Sequence, residues 1–190
     1  MLRSALHVLI ACLIAIVGGA ASLAYALKSD QPIGAVKAGP WLTFPDAGTE
    51  QADPYHKALY AIDGVLSLGG GEGMAFYTER DSGSENLRGA CAYRLSGPIS
   101  PARFWTLRSE VRQGDAWVTG PAIHSRGLLR RPDNSVELTV SARPAPGNWL
   151  PLAASGPFRL VLTLYDPATT TSLASSGTEA PSIEKQACHD

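Results

Sequence analysis

Val136-Glu137-Leu138-Thr139-Val140-Ser141 decides how this chain folds. Apolar side chains stand at every second position, with polar ones between. Only a strand with one covered face turns that period of two into a single apolar surface. The same period recurs on both sides of this stretch. Cys91, Tyr93 and Leu95 alternate with Ala92 and Arg94; Trp105, Leu107, Ser109 and Val111 alternate with Thr106, Arg108 and Glu110; Leu160, Leu162 and Leu164 alternate with Arg159, Val161 and Thr163. Residues 74–78 and 116–119 read as further short strands. Turn signals separate them: Asp81-Ser82-Gly83, Gly97-Pro98, Gln113-Gly114-Asp115, Pro132-Asp133-Asn134 and Pro146-Gly147-Asn148. Six strands at this spacing predict a mainly β domain, an antiparallel β-sandwich or jelly-roll-like arrangement with one short helix.

The helix precedes the strands. Asp53 is a good N-cap and Pro54 suits the first helical position. Tyr55, Leu59, Ile62 and Leu66 then follow at helical spacing as one apolar face, and Gly69-Gly70-Gly71 stops the run. Residues 29–52 read as an extended linker leading into the domain, with Trp41, Leu42 and Phe44 as a first anchoring patch. The domain itself is expected over 53–167. Residues 168–190, rich in Ser, Thr and Ala, read as an irregular tail.

Ahead of all this lies an apolar run. From Ala5 to Leu27 there is no Asp, Glu, Lys or Arg. As a helix those 23 residues span about 34 Å, enough for the hydrocarbon core of a bilayer. Residues 1–28 therefore read as a single transmembrane signal anchor, with the lipid bilayer as partner of 5–27. Two alternatives fit the same stretch. One is a cleaved signal peptide with Ala24-Tyr25-Ala26 as its small-x-small site. The other is a lipoprotein signal around Leu9-Ile10-Ala11-Cys12. Arg3 on one side and Lys28 and Lys37 on the other give little charge asymmetry, so the expectation of a periplasmic or otherwise extracytoplasmic domain rests on the N-terminal position of the run.

The chain has 190 residues and a formal net charge of −1. That balance offers no basic stripe for nucleic acid. Of three cysteines, Cys12 lies in the apolar run, which leaves Cys91 and Cys188 as an even pair in the exported part. Exported cysteines are usually paired. A Cys91–Cys188 disulfide is therefore expected, contributing about 4–5 kcal/mol by the chain-entropy model; the alternative is a loose tail with a free thiol at Cys188 and a buried Cys91.

One ordered set of motifs resembles a known family. It comprises Asp53-Pro54-Tyr55, Cys91-Ala92-Tyr93-Arg94-Leu95, Phe104-Trp105-Thr106-Leu107, Asn148-Trp149-Leu150-Pro151, Gly156-Pro157-Phe158 and Leu164-Tyr165-Asp166-Pro167. In this order they resemble the bacterial domain of unknown function 1214, in its short form with one N-terminal membrane helix, over roughly residues 40 to 167. The resemblance implies a β-sandwich and no established activity. The chain departs from the family where an Asn- and Arg-containing stretch is usual. Gly120-Pro121-Ala122-Ile123-His124-Ser125-Arg126 stands there, and Arg126 alone corresponds.

Site signals are sparse. His7, His56, His124 and His189 show no metal-ligand spacing, and no metal or other cofactor is expected. Ser125 follows His124, but neighbours in a strand or loop point apart, so no dyad forms. Glu110, Asp115 and Glu137 read as solvated charges. Gly69-Gly70-Gly71-Glu72-Gly73 lacks the Lys and Ser/Thr of a phosphate loop. Aromatic residues on a sheet interspersed with arginines can stack flat ligands. The candidate ligand-binding residues are accordingly Tyr77, Arg94, Trp105, His124 and Arg126. The expected function is that of a membrane-anchored extracytoplasmic module binding a ligand or envelope partner; the alternative is an envelope enzyme acting on a small or carbohydrate-like substrate.

Overall fold

The computed structural model describes residues 2–27, 32–69, 71–114, 116–133, 135–152, 156–167 and 180–188. Lys28, Gly70, Asp115, Asn134, residues 168–179 and His189, all used in reading the sequence, lie outside them. The apolar run forms helix α1, Leu2–Leu27. Its stretch Arg3–Ala26 has a mean hydropathy of 2.3 and no buried residue, so it is long and apolar enough to cross a membrane. A membrane anchor and a signal sequence both have that form.

The remainder is a two-sheet sandwich with ten strands among the described residues. In chain order they are β1 (Val36–Ala38), β2 (Trp41–Thr43), β3 (Gly73–Thr78), β4 (Cys91–Gly97), β5 (Ala102–Gln113), β6 (Ala116–His124), β7 (Val136–Ser141), β8 (Trp149–Pro151), β9 (Phe158–Pro167) and β10 (Ser182–Cys188); helix α2 (Pro54–Asp63) lies between β2 and β3. One sheet runs β1-β2-β3-β9-β5-β6 and the other β10-β4-β7-β8. All pairs are antiparallel except the short β7–β8 pair.

The alternation read from the sequence sets the inner faces. Across the larger sheet, Phe76, Leu162 and Leu107 stand in one row, and Met74, Leu164 and Trp105 in the next. The smaller sheet answers with Ile183, Leu95 and Leu138 in one row and Tyr93, Val140 and Leu150 in another. All of these are buried in one core cluster. Tyr93 donates no apolar surface at its tip, so its hydroxyl accepts the Arg88 N–H at 2.9 Å. Trp41, fully buried, ties the sheets together, its indole N–H donating to the Pro181 carbonyl at 2.8 Å.

Three expectations need correction. Residues 36–43 of the expected linker are strands β1 and β2 of the larger sheet, held there by the burial of Trp41 and Thr43. Residues 182–188 of the expected irregular tail are strand β10, which pairs with the edge of β4. Helix α2 starts as read, Asp53 Oδ1 accepting the Tyr55 N–H at 2.8 Å. It stops earlier, at Gly64, whose φ of 64° is the left-handed cap conformation. Its packed side also differs: His56 is buried, while Tyr55, Ile62 and Leu66 are exposed.

The expected disulfide is present. Cys91 and Cys188 are directly opposed in the β4–β10 pair and bonded, with Cα atoms 3.8 Å apart, closer than the 4.4–6.8 Å usual for such bridges. Lys185 reaches Glu85 at 2.8 Å across the same edge.

Two stability outcomes follow from this packing. Leu138→Ala and Leu162→Ala should each cost about 2–5 kcal/mol, whereas Glu137→Ala, which loses only the solvent-facing pairs to Arg94 and Arg131, should cost about 1 kcal/mol or less. Chemical denaturation giving the reverse order would place the β7 register one residue off. His56 is buried with neither ring nitrogen hydrogen-bonded among the described residues, stacked on Phe44 at 3.8 Å. Burial holds its pKa below the ordinary histidine value of about 6.5, with Asp53 opposing that shift. The unfolded chain then binds the extra proton, so this contribution is complete above pH 6.5 or so and is lost as pH falls below it. His56→Phe should flatten the stability profile below about pH 6.5; an unchanged slope would mean that folding does not lower the His56 pKa.

Candidate functional site

The outer face of the larger sheet is also covered, and this is where polar chemistry collects. Inward-facing Leu160, Leu162 and Leu164 on β9 leave Arg159, Val161, Thr163 and Tyr165 facing outward. Beside them stand Tyr77 on β3 and Phe104, Thr106, Arg108 and Glu110 on β5. A bulge shapes the β6 side. Between the pairs Arg108–Ala122 and Glu110–Thr119, β6 carries one extra residue. Gly120-Pro121 occupies this bulge. Pro121 has no N–H for the ladder to miss, and a Cβ on Gly120 would lie 2.9 Å from Ser109 Oγ. The extra residue reverses side-chain parity. Ala122 and His124 face outward on one side of it, and Trp117 does so on the other.

Arg159 sits at the centre of this face and is 8% exposed. Its Nε donates to Glu110 Oε2 at 2.7 Å, and its Nη1 is 3.7 Å from Asp63 Oδ2 on α2. Its guanidinium lies 4.3 Å from the Trp117 ring centre and 5.3 Å from that of Tyr77. The other oxygen of Glu110 accepts Arg108 Nε at 2.8 Å. One carboxylate thus serves two guanidinium groups. Glu110, expected to be solvated, is 4% exposed. It faces outward as the alternation requires, but that face lies beneath α2.

Between α2 with its following loop, the segment around Phe44, and the sheet lies a partly open cavity of about 150 Å³. Phe44, Leu68 and Ala75 give it apolar walls; Tyr60, Tyr77, Arg108, Thr163 and Tyr165 give it polar groups. Next to the lining residue Ala47, Gly48 packs against the backbone of Leu68. The φ there is +74°, and a Cβ would lie 2.0 Å from the Leu68 carbonyl oxygen, so only glycine lets the two segments meet. The Tyr60 and Tyr77 hydroxyls are 3.1 Å apart. Burial, with Tyr77 beside it, pushes the Tyr60 phenol well above the ordinary tyrosine value, so it stays protonated.

Of the residues expected to bind a ligand, Tyr77 lines this cavity. His124 and Arg126 lie farther along the same sheet, both against the Phe104 ring, at 5.8 and 5.9 Å from its centre. Arg94 is on the outer face of the opposite sheet, paired with Glu137 at 2.7 Å. Trp105 is in the core between the sheets, at the inward position its own alternation assigns. Sequence reasoning missed Arg108, Arg159, Tyr60 and Thr163. A usable signal was present: Arg159-Leu160-Val161-Leu162-Thr163-Leu164 is too apolar for a strand with one wet face, so its Arg must be covered. Among the described residues no group of three or more His, Cys, Asp and Glu lies together.

Removing the shared carboxylate should be costly. Glu110→Gln takes the carboxylate from Arg108 and leaves Arg159 with Asp63 at 3.7 Å, and should lower unfolding free energy by about 3–5 kcal/mol. A loss under about 1 kcal/mol in urea titration would show that the pair behaves as an exposed one.

The family motifs prove largely structural. Asn148 holds the Leu129 N–H and carbonyl and the Glu137 carbonyl, and the Trp149 indole N–H donates to the Ser141 carbonyl at 3.1 Å. Comparison with known proteins agrees with this frame. Solved structures similar in fold include the VPA0106 protein from Vibrio parahaemolyticus, at 18% identity and a TM-score of 0.56 over 72% of this chain and 36% of that one. An uncharacterised protein from Burkholderia cenocepacia also matches, at 18% identity and a TM-score of 0.48 over 63% of this chain and 30% of that one. The chain spans about a third of the length of these solved relatives. No curated protein matches. The family model described as Protein of unknown function (DUF1214) matches residues 72–169, from the loop ahead of β3 to just past β9. With more than half of its length inside that match, this chain belongs to the DUF1214 family.

Proposed function

We propose that this chain is an extracytoplasmic β-sandwich module, held at the plasma membrane by α1, that binds a small ligand in the cavity beneath α2. The cavity carries the reading: it joins apolar walls to a guanidinium and three phenols, the mixture by which small-molecule sites hold and orient a ligand. Two features support the location. The stretch Arg3–Ala26 leaves its apolar side chains unburied, as a lipid-facing helix does. The Cys91–Cys188 bond needs an oxidising compartment to persist.

The two halves of the reading separate experimentally. A reporter active only after export, fused behind the full chain, should be active, and peptide mapping of the unreduced protein should recover the two cysteines linked. Activity of a cytoplasm-only reporter at that position would overturn the location. Native mass spectrometry of the full chain released from dodecyl maltoside micelles should show a retained small molecule, absent when Ala75→Leu fills the cavity. The same adduct on the filled variant would move the binding site elsewhere.

A further inference from the structure

The donors of Arg108 are only partly used. Its Nε is committed to Glu110, and one Nη1 bond reaches Thr163 Oγ1 at 3.4 Å, which is long. Of five guanidinium N–H groups, three have no partner among the described residues. Arg108 is also the one charged side chain among the cavity's lining residues. The carboxylate that steadies it, Glu110, is already divided between two guanidinium groups. Arg108 thus meets the cavity with a charge and donors that its own carboxylate does not use up. The Tyr60–Tyr77 contact adds to this. Two phenols share one hydrogen bond, which leaves one O–H proton for a further acceptor. Facing these donors are Phe44 and Leu68, with no charge at all. A volume of about 150 Å³ suits a molecule the size of benzene.

We infer that the cavity takes a small, flat monocarboxylate, its carboxylate on the free edge of the Arg108 guanidinium and its apolar body against Phe44 and Leu68; this rests on the cavity being the ligand site. A guanidinium fork meets a carboxylate with two parallel hydrogen bonds, which a neutral amide of the same shape cannot reproduce. Aromatic walls favour a flat body over a branched one.

Benzoate and benzamide are nearly equal in shape and differ in charge. Calorimetric titration of the full chain in dodecyl maltoside micelles should show benzoate binding at least about tenfold more tightly than benzamide. Arg108→Gln should erase that preference, leaving both probes weak, and Ala75→Leu, which touches no charge, should abolish binding of both. Equal binding of the two probes to the unaltered protein would overturn the carboxylate inference while leaving the cavity as a binding site. So would a preference that survives in Arg108→Gln. Failure of both probes would overturn the inference as well, and the retained-molecule measurement then decides separately whether the cavity binds anything. Should Arg108→Gln not fold, the benzoate-to-benzamide ratio on the unaltered chain, together with the loss of both probes in Ala75→Leu, still decides the matter.

Discussion

Strand β9 is covered on both sides, and the rest of the structure is arranged to make that possible. Its inner leucines require a second sheet to close over them. Its outer face carries Arg159, and a guanidinium removed from water must have its charge and donors met. Glu110 does so from the opposed position on β5, Asp63 from α2, and the Trp117 and Tyr77 rings from either side. Each of those partners has its own local cause. Trp117 is turned outward by the Gly120-Pro121 bulge, and Asp63 stands in the last turn of a helix that Gly64 ends. The cavity arises where this cover is incomplete, between the helix, the loop after it and the sheet.

The alternating strands were legible because each is long enough to express a period and has one face against the core. The three-residue strands β1, β2 and β8 hold too few side chains to show one. Strand β10 was hidden for another reason. Ile183 alone of its residues is buried; it is held by the open edge of β4 and by the bridge, information that lies 97 residues away in the chain. The helix face was misread because an amphipathic pattern assumes an apolar surface opposite. Here the surface opposite bears Arg159 and Tyr77, so α2 turns His56, Tyr60 and Asp63 toward it. Glu110 shows the same limit. Its direction was legible and its burial was not, because alternation says which way a side chain points and nothing about what lies beyond it.

The candidate site was correspondingly less legible than the fold. Tyr77 was found by its place on a strand, whereas Arg94, of the same general description, faces solvent on the other sheet. The residues that carry the family likeness mostly fasten loops to strands, as Asn148 and Trp149 do. Such motifs identify the frame. The groups that could meet a ligand lie instead on β3, β5, β9 and α2, and meet only after the sandwich has formed.

The bridge between Cys91 and Cys188 also sets an order of events. Strand β4 gains β7 on one side once the chain has passed through β5 and β6, but its other neighbour arrives 97 residues after Cys91. Until then a strand with buried Tyr93 and Leu95 on one face presents a bare row of backbone donors and acceptors. A chain emerging from N- to C-terminus would therefore pass through an interval in which any passing strand can dock where β10 belongs. Once β10 has docked, the covalent bond makes the occupancy permanent. The last strand is thus a latch, and the interval before it closes is when the protein is most exposed to its neighbours.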